Sequence, residues 1–462
     1  MLREWIPTMW TRALVVGFCG LVLVLGIGHP EMYRNEGLRA SLAAEAMRDG
    51  DWIVPHLHGE PHLTKPPGMA VLIALCSLPF GEVTPVSARL PSVLAGAAFI
   101  VLFGWTVARH LGAGAGWLAA ALLPSCVLWL DRVPSAEIDL VQLAWVGGSL
   151  VCLLHAAEDD SSAWWLLAMA CVTGGLFTKW TTPIFFYLTA LPWLWWQGEL
   201  RLLVHRGHLL GLLLVAALAV GWLGAVAHSA GWELLYDTLS REALLRFSPA
   251  HHPRPYPWLE LLTFPLIFLA GCLPCSLALP FAFWPRFAES WDDRQRAFLR
   301  LCQIWLVASL VFWTLAPGHR PRHILPAQPA VVGLAVMVIL ILAPDRRRAI
   351  LGVVLVAWLA VKIAFVGWVV PARQAERHPT QGAAVLADKV PPDEILYVAN
   401  LKDDGLLFHY GRPVRRLRGD ANPGAWCLLT EAEWAAWPRG RAVEVASLRD
   451  GQNKPLVLVR VR

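Results

Sequence analysis

Glu36, Lys65, Asp139, Lys179, Arg246, Arg320 and Arg322 are the ionisable side chains of this chain whose settings suit chemistry. Each lies beside a long apolar run. Glu36 opens NEGLRASLAAEAM, Lys65 precedes Pro66-Pro67, and Asp139 closes the acidic segment DRVPSAEID. Lys179 interrupts an apolar stretch, Arg246 precedes His251-His252 with Arg254, and Arg320 and Arg322 alternate with His319 and His323. Cations at such positions can hold a phosphate and stabilise the charge that develops on it as it leaves. A carboxylate beside them can take the proton of an attacking hydroxyl. Each residue also has a plainer reading. Glu36 can complement a helix dipole, Glu137 can sit at a membrane interface, Lys179 can snorkel, and the arginines and histidines can be solvated.

Shared sidedness is what the plainer readings leave unexplained. Of the 462 residues, 56% are hydrophobic and only 16% charged, against about 25% charged in soluble domains, so the chain reads as a polytopic membrane protein. A bilayer-spanning helix needs about 20 apolar residues. Eleven candidate spans follow, near 12–29, 86–109, 113–130, 135–156, 163–178, 181–196, 207–228, 260–284, 299–316, 323–343 and 348–370. The run at 68–80 is shorter and is expected to lie at the interface or re-enter. With Arg3 and Arg12 ahead of a retained first span, the N-terminus is placed inside. Four of the five cytoplasmic connections are then basic, Arg346-Arg347-Arg348 among them. Glu36, Lys65, Asp139, Lys179, Arg246, Arg320 and Arg322 all map to the outer face. The formal charge of +5 follows from the basic loops and gives no reason to invoke nucleic acid.

The polar segment 35–67 organises this face, and the first outer loop as a whole is expected over 30–85. Asn35 suits an N-cap and Gly50 a stop for a helix to about Met47. Leu38, Leu42, Ala46 and Met47 share one side, with Arg39, Glu45 and Arg48 largely elsewhere, as in a helix lying on the membrane surface. Beyond the membrane part (1–370), residues 371–462 change character. They contain Pro391-Pro392 and β-prone runs at 395–398, 426–429 and 456–459, with a short helix expected at 431–437 behind Thr430. The fold class is thus an all-α polytopic membrane protein carrying a small C-terminal α/β soluble domain on the outer side. The nine cysteines include Cys272 and Cys275 as a CxxC inside an apolar run, read as packing.

GDWIVPHLHGEPHLTKPP, preceded by NEGLRASLAAEAM, resembles the first outer loop of the polyprenyl-phosphate-sugar glycosyltransferases, the superfamily of the protein O-mannosyltransferases and the lipid A aminoarabinose transferase. DRVPSAEID, FTKW, EALLRFSPAHH and PGHRPRHILP continue the likeness over roughly residues 10–345. The resemblance implies a membrane-embedded fold of GT-C type and an inverting transferase without a nucleotide cofactor. Its donor would be a sugar on undecaprenyl or dolichyl phosphate. Lipid A, another glycolipid or a protein would be the acceptor, and a bacterial inner membrane the setting. In that family an Asp-Glu pair begins the first-loop helix and its Asp is the acid-base residue. Here the pair reads Asn35-Glu36, so Glu36 is expected as the base, with Asp139 assisting and Asp139 or Asp51 as substitutes. Lys65, Lys179, Arg246, Arg320 and Arg322 are expected on the donor phosphate. Thr64 stands where the aminoarabinose transferase has a metal-associated Glu, so no metal is expected. Two rivals remain: a lipid-linked sugar flippase, and an inactive polyprenyl-phosphate-binding scaffold permitted by Asn35.

Overall fold

The computed structural model describes residues 5–32, 35–247, 258–316, 320–375, 379–399, 401, 403–438 and 440–462, without the side chains of 242–247. The first helices are α1 (Met9–Val24), α2 (Asn35–Asp49), α3 (Gly68–Ser77) and α4 (Pro85–Leu111), with a two-stranded hairpin of β1 (His56–Leu57) and β2 (Glu60–Pro61) after α2. Then come α5 (Ala113–Leu122), α6 (Val127–Leu130), α7 (Asp139–Glu158), α8 (Ser162–Thr178), α9 (Thr182–Gln197), α10 (Arg206–Ala230) and α11 (Trp232–Phe247). The bundle is completed by α12 (Trp258–Gly271), α13 (Leu279–Ala282), α14 (Asp293–Leu315), α15 (Gln328–Leu342), α16 (Arg347–Ala364) and α17 (Val370–Gln374). Local chemistry sets the boundaries. Thr84 with Ser87 and Asp292 with Gln295 form capping boxes at the starts of α4 and α14, each satisfying orphan donors of a first turn. Gly198 ends α9 with φ +72°, a conformation only glycine adopts without strain.

The protein is mostly helical and multi-pass. Among the described residues, six helical segments are long and apolar enough to cross a membrane: Pro85–Leu111, Asp139–Glu158, Arg206–Ala230, Asp293–Leu315, Pro321–Leu342 and Pro344–Gln374. Trp258–Gly271 and Cys275–Ala282 would pass together, but the chain bends by 108° between them. The remaining expected spans are present as helices at the expected places, only shorter. α1, α8 and α9 have 16, 17 and 16 residues and α5 has 10, below the roughly 20 a perpendicular crossing needs. Apolar composition locates a helix; where it breaks is set by turns such as Gly112 and the Lys179 corner. Trp129, Trp165, Trp193 and Trp305 are fully buried in the core. α7 and the Pro321–Leu342 segment run through its centre, and α10 and α16 lie on its rim. All nine cysteines are free, and Cys272 and Cys275 are buried in that core.

The last apolar helix continues through a π-helical stretch, Phe365–Val369, to Gln374. The C-terminal unit therefore starts at Pro379, eight residues later than the sequence suggests. It comprises α18 (Pro379–Lys389), β3 (Leu396–Val398), α19 (Asp404–Tyr410), β4 (Val414–Arg416), β5 (Trp426–Thr430), α20 (Glu431–Ala436), β6 (Ala442–Arg449) and β7 (Pro455–Val461). The strands form one sheet in the order β4-β3-β5-β7-β6. β3 lies parallel to β4 and β5, while β7 is antiparallel to β5 and β6. Thr430 caps α20 in a capping box with Glu433, as its sequence foretold. Leu386, Leu396, Val398, Leu406, Leu428 and Leu458 make a core separate from that of the bundle.

This unit is seated on the first-loop helix. A Cβ placed on Gly37 would run into the backbone of Gly405, so α2 and α19 touch where both lack side chains. Met32 donates its N–H to His409 Nε2 at 3.2 Å, and Arg416 donates its own to the His58 carbonyl at 3.1 Å. Arg418 reaches Glu60 at 2.6 Å. The sequence reads α2 as a helix lying at the membrane surface, with Arg39, Glu45 and Arg48 away from its apolar side. Arg39 and Glu45 are buried, because the C-terminal unit and the β1–β2 hairpin cover that side.

Candidate active site

α2 begins where the first apolar helix has just emerged, and Asn35 and Glu36 fall in its first turn. Glu36 is buried, and Arg89 of α4 grips it with Nε–Oε1 at 3.0 Å and Nη2–Oε2 at 3.2 Å. The Ala136 N–H adds a third bond to Oε1 at 2.8 Å. Arg89 spends its other donors on the carbonyls of Ile27 (3.0 Å), His29 (2.6 Å) and Glu31 (2.8 Å). Both carboxylate oxygens are thus held, and the pair ties α4, α2, the chain leaving α1 and the 131–139 segment together. The geometry argues against the expected base role for Glu36 and makes it a latch.

The acidic segment presents its other carboxylates to a second set of arginines. Glu137 Oε2 lies 3.3 Å from Arg322 Nη1, and Asp139 Oδ2 lies 3.6 Å from Arg132 Nη1. Asp139 is 2% exposed and this oxygen accepts no hydrogen bond. Arg39 of α2 is buried among Glu137, Asp139, Arg322 and Asp404, whose charges all act on it, and its Nε has no hydrogen-bond partner. Burial, and then the neighbouring Asp139, raise the Glu137 carboxyl above its usual range.

The two lysines flank a close approach between α3 and α8. Gly68 opens α3 directly against the end of α8, where a Cβ would meet the Phe177 carbonyl at 2.6 Å. This close approach brings the Lys65 and Lys179 corners to one place. Lys179 follows the last turn of α8 and is buried, and its Nζ donates to Gln142 Oε1 at 2.9 Å. Gln142 donates in turn to Thr181 Oγ1 at 3.2 Å. That is a built polar environment, unlike that of a snorkelling lysine. Lys65 Nζ donates to the Thr64 carbonyl at 2.9 Å. His62 Nε2 sits 2.7 Å from Thr64 Oγ1. Burial, helped by Arg39, holds the His62 imidazole down at about 4, so it is neutral at physiological pH. The charges of Lys65, Arg39 and Asp404 all reach His62, which links the lysine corner to the arginine set.

Beside the arginine set lies a cavity of about 610 Å³. Glu31, Asn35, Arg132, Arg320, Arg322, Asp403 and Asp404 are among the residues that line it. Its walls come from the start of α2, the end of α6, the 320–322 segment and the C-terminal unit. Thr64 is committed to His62, and among the described residues no three His, Cys, Asp or Glu side chains are placed to share an ion.

Of the residues singled out in the sequence, Asn35, Arg320 and Arg322 line the cavity, with Asp139 behind it. Lys65 and Lys179 flank the approach of α3 to α8, and Glu36 is turned into its latch. The side chain of Arg246, and His251, His252, Arg254 and His319, lie outside the described residues. Asp51 accepts the N–H groups of Ile53 and Val54 at 3.1 and 2.9 Å, a turn-forming role. Arg39, Arg89, Arg132 and Asp404 were missed. Arg89 carried a signal, being a lone cation in an otherwise apolar stretch, and such residues are functional by default.

The chain is thus a bundle of membrane helices with a cation-lined cavity at one end and a small α/β unit over it. Residues 64–224 match the family described as dolichyl-phosphate-mannose-protein mannosyltransferase. The undecaprenyl phosphate-alpha-4-amino-4-deoxy-L-arabinose arabinosyl transferase of Pseudomonas aeruginosa is 33% identical over 332 residues, covering 68% of this chain and 56% of that protein. A Pseudomonas fluorescens transferase of the same description is 29% identical over 74% of this chain and 58% of its own length. This chain thus spans little more than half the length of the curated relatives it matches. In fold it resembles the crystal structure of ArnT from Cupriavidus metallidurans bound to undecaprenyl phosphate, with TM-score 0.73, 19% identity and coverage of 98% and 99% of the two chains. The chain belongs to the superfamily of polyprenyl-phosphate-sugar glycosyltransferases that holds the protein O-mannosyltransferases and the lipid A aminoarabinose transferases.

Proposed function

We propose that this protein transfers a sugar from undecaprenyl phosphate to a lipid A-type acceptor at the outer face of a bacterial inner membrane. The donor class is that in the relatives' description, undecaprenyl phosphate-linked 4-amino-4-deoxy-L-arabinose. In this reading the eleven apolar helices are all membrane elements, the short ones tilted or partial, with the N-terminus inside and the C-terminal unit outside. The observation that carries it is the cavity lined by Arg132, Arg320 and Arg322. Arginine forks match phosphate geometry, and fixed cations gain most where charge grows on a leaving phosphate.

The acceptor oxygen attacks the anomeric carbon opposite the phosphate, so transfer inverts that centre. The bond from carbon to phosphate oxygen breaks, and undecaprenyl phosphate leaves with the electron pair onto Arg320, Arg322, Lys65 and Lys179, with Arg246 as a further candidate. Asp139 and Glu137 orient Arg132, Arg322 and Arg39. Asn35 offers a neutral amide to a sugar hydroxyl, and Glu36 holds the frame. No metal or other cofactor takes part, so a chelator leaves turnover unchanged.

Purified protein in liposomes, given donor labelled in the sugar and lipid A, tests the reading. Labelled lipid A with release of undecaprenyl phosphate supports it. Donor bound but not consumed would favour a scaffold, and donor moved across the bilayer intact would favour a flippase.

A further inference from the structure

Besides Asp404, the carboxylates lining the cavity are Glu31, whose Oε1 accepts from Thr380 Oγ1, and Asp403, whose oxygens accept the N–H groups of Gly405, Leu406 and Gly451. Asn35 is an amide, both oxygens of Glu36 are held by Arg89 and Ala136, and Glu137 faces Arg322. Asp139 is nearly inaccessible behind Arg132. The C-terminal unit brings another carboxylate to this place. Asp404 begins α19, and the backbone joining it to Gly405 packs against Gly37, two residues from Asn35. Its side chain lines the same cavity as Asn35, Arg320 and Arg322.

Asp404 is also held in position. His58 Nε2 lies 3.5 Å from Asp404 Oδ1, and that buried nitrogen makes no hydrogen bond. The peptide of His58 is fixed in turn by Glu45, whose Oε1 accepts the His58 N–H at 2.7 Å and whose Oε2 accepts that of Gly59 at 3.3 Å. Residue 58 adopts φ +57°, an uncommon conformation outside glycine, so the hairpin is bent in the way that points this imidazole at α19. The neighbouring Asp403 has a separate task, capping α19 through the N–H groups of Gly405 and Leu406. Of the two adjacent aspartates lining the cavity, Asp403 is occupied by the backbone of α19 and of Gly451, while Asp404 faces His58.

We propose that Asp404, carried by the C-terminal unit, is the catalytic base that takes the proton from the acceptor. This rests on the transferase reading above. The acceptor O–H, of an alcohol or a phosphate monoester, gives its proton to the Asp404 carboxylate as its oxygen bonds to the anomeric carbon. The bond from that carbon to the phosphate oxygen breaks, and undecaprenyl phosphate departs with the pair. The C-terminal unit is then part of the active site, closing it over the first outer loop.

The test is turnover of undecaprenyl phosphate-linked 4-amino-4-deoxy-L-arabinose onto lipid A by wild-type, D404N and D404E full-length protein in liposomes. D404N is expected to lose about 100-fold or more in kcat, the usual range for a missing general base, with donor KM within about threefold. D404E is expected to recover part of the loss. Azide, an anion with no proton to remove, should restore undecaprenyl phosphate release in D404N by forming the glycosyl azide. A merely structural role would not produce that rescue. Wild-type kcat in D404N, or loss of activity without azide rescue and with lost donor binding, overturns the assignment. If D404N does not fold, D404S takes its place with the same expected and overturning results. If wild type moves no sugar, the transferase reading falls and the assignment with it.

Discussion

Two charged clusters share one end of the helix bundle and differ in how completely they are neutralised. At Glu36 and Arg89, five donor contacts from the guanidinium and three acceptances by the carboxylate leave the pair buried and satisfied. Around the cavity, Arg132 meets Asp131 and Asp139 at 3.3 and 3.6 Å, Arg322 meets Glu137 at 3.3 Å, and Arg320 is exposed. A satisfied buried pair is costly to break and offers nothing to a ligand. An incompletely neutralised set keeps a field that draws and holds an anion. Charge alone does not mark a site; what remains unspent after the fold has taken its share does.

Breaking the latch should have the largest effect. Arg89→Met leaves Glu36 buried without its partner and is expected to cost about 3–5 kcal/mol of stability, read as a lowered thermal midpoint in detergent. Replacing both, as Glu36→Leu with Arg89→Met, should cost much less than the two single changes summed. The cavity arginines should behave oppositely. Arg320→Ala and Arg322→Ala are each expected to reduce donor turnover by about 10- to 100-fold, the worth of a lost charged hydrogen bond of about 1.5–3 kcal/mol. Their thermal midpoints should stay near wild type. If Arg322→Ala instead unfolds the protein at wild-type specific activity, the contrast between the clusters is wrong.

A smaller effect probes the surface joining the two. Gly37→Ala inserts a methyl against the Gly405 backbone and is expected to cost about 1–3 kcal/mol as overpacking. Limited proteolysis should then release the C-terminal unit earlier, and transfer should fall in parallel. The smallest is a pH effect at His62, whose folded value of about 4 lies below its ordinary 6.5. Because the unfolded chain binds this proton more readily, the stability involved is fully present above pH 6.5 and is lost as pH falls toward 4. His62→Gln should flatten the fall in thermal midpoint over that interval.

Much of this was legible in the chain because apolar runs and polar interruptions are local signals. The helix at Asn35 and its stop at Gly50, the Lys179 corner and the Thr430 cap all follow from short spacings. Span lengths were less legible, since a run of apolar residues reveals composition but not the turn that divides it. The burial of Arg39 and Glu45 could not be read from α2 at all. Periodicity says which side of a helix is apolar; it does not say that a sheet more than 350 residues later will cover the other. The same distance hid Asp404, which no local motif marks. Glu36 was singled out for its position, and only the fork from Arg89 reveals what that position is for.

The most direct measurement is release of undecaprenyl phosphate from sugar-labelled donor by purified protein with lipid A, comparing wild type with the Arg320→Ala/Arg322→Ala pair at matched thermal midpoints. Sugar transfer by wild type, with loss of at least about 100-fold in the folded double variant, is the expected result. Transfer by the double variant at the wild-type rate, or donor binding by wild type without transfer to any acceptor, would contradict a phosphate-holding, sugar-transferring cavity at this end of the bundle.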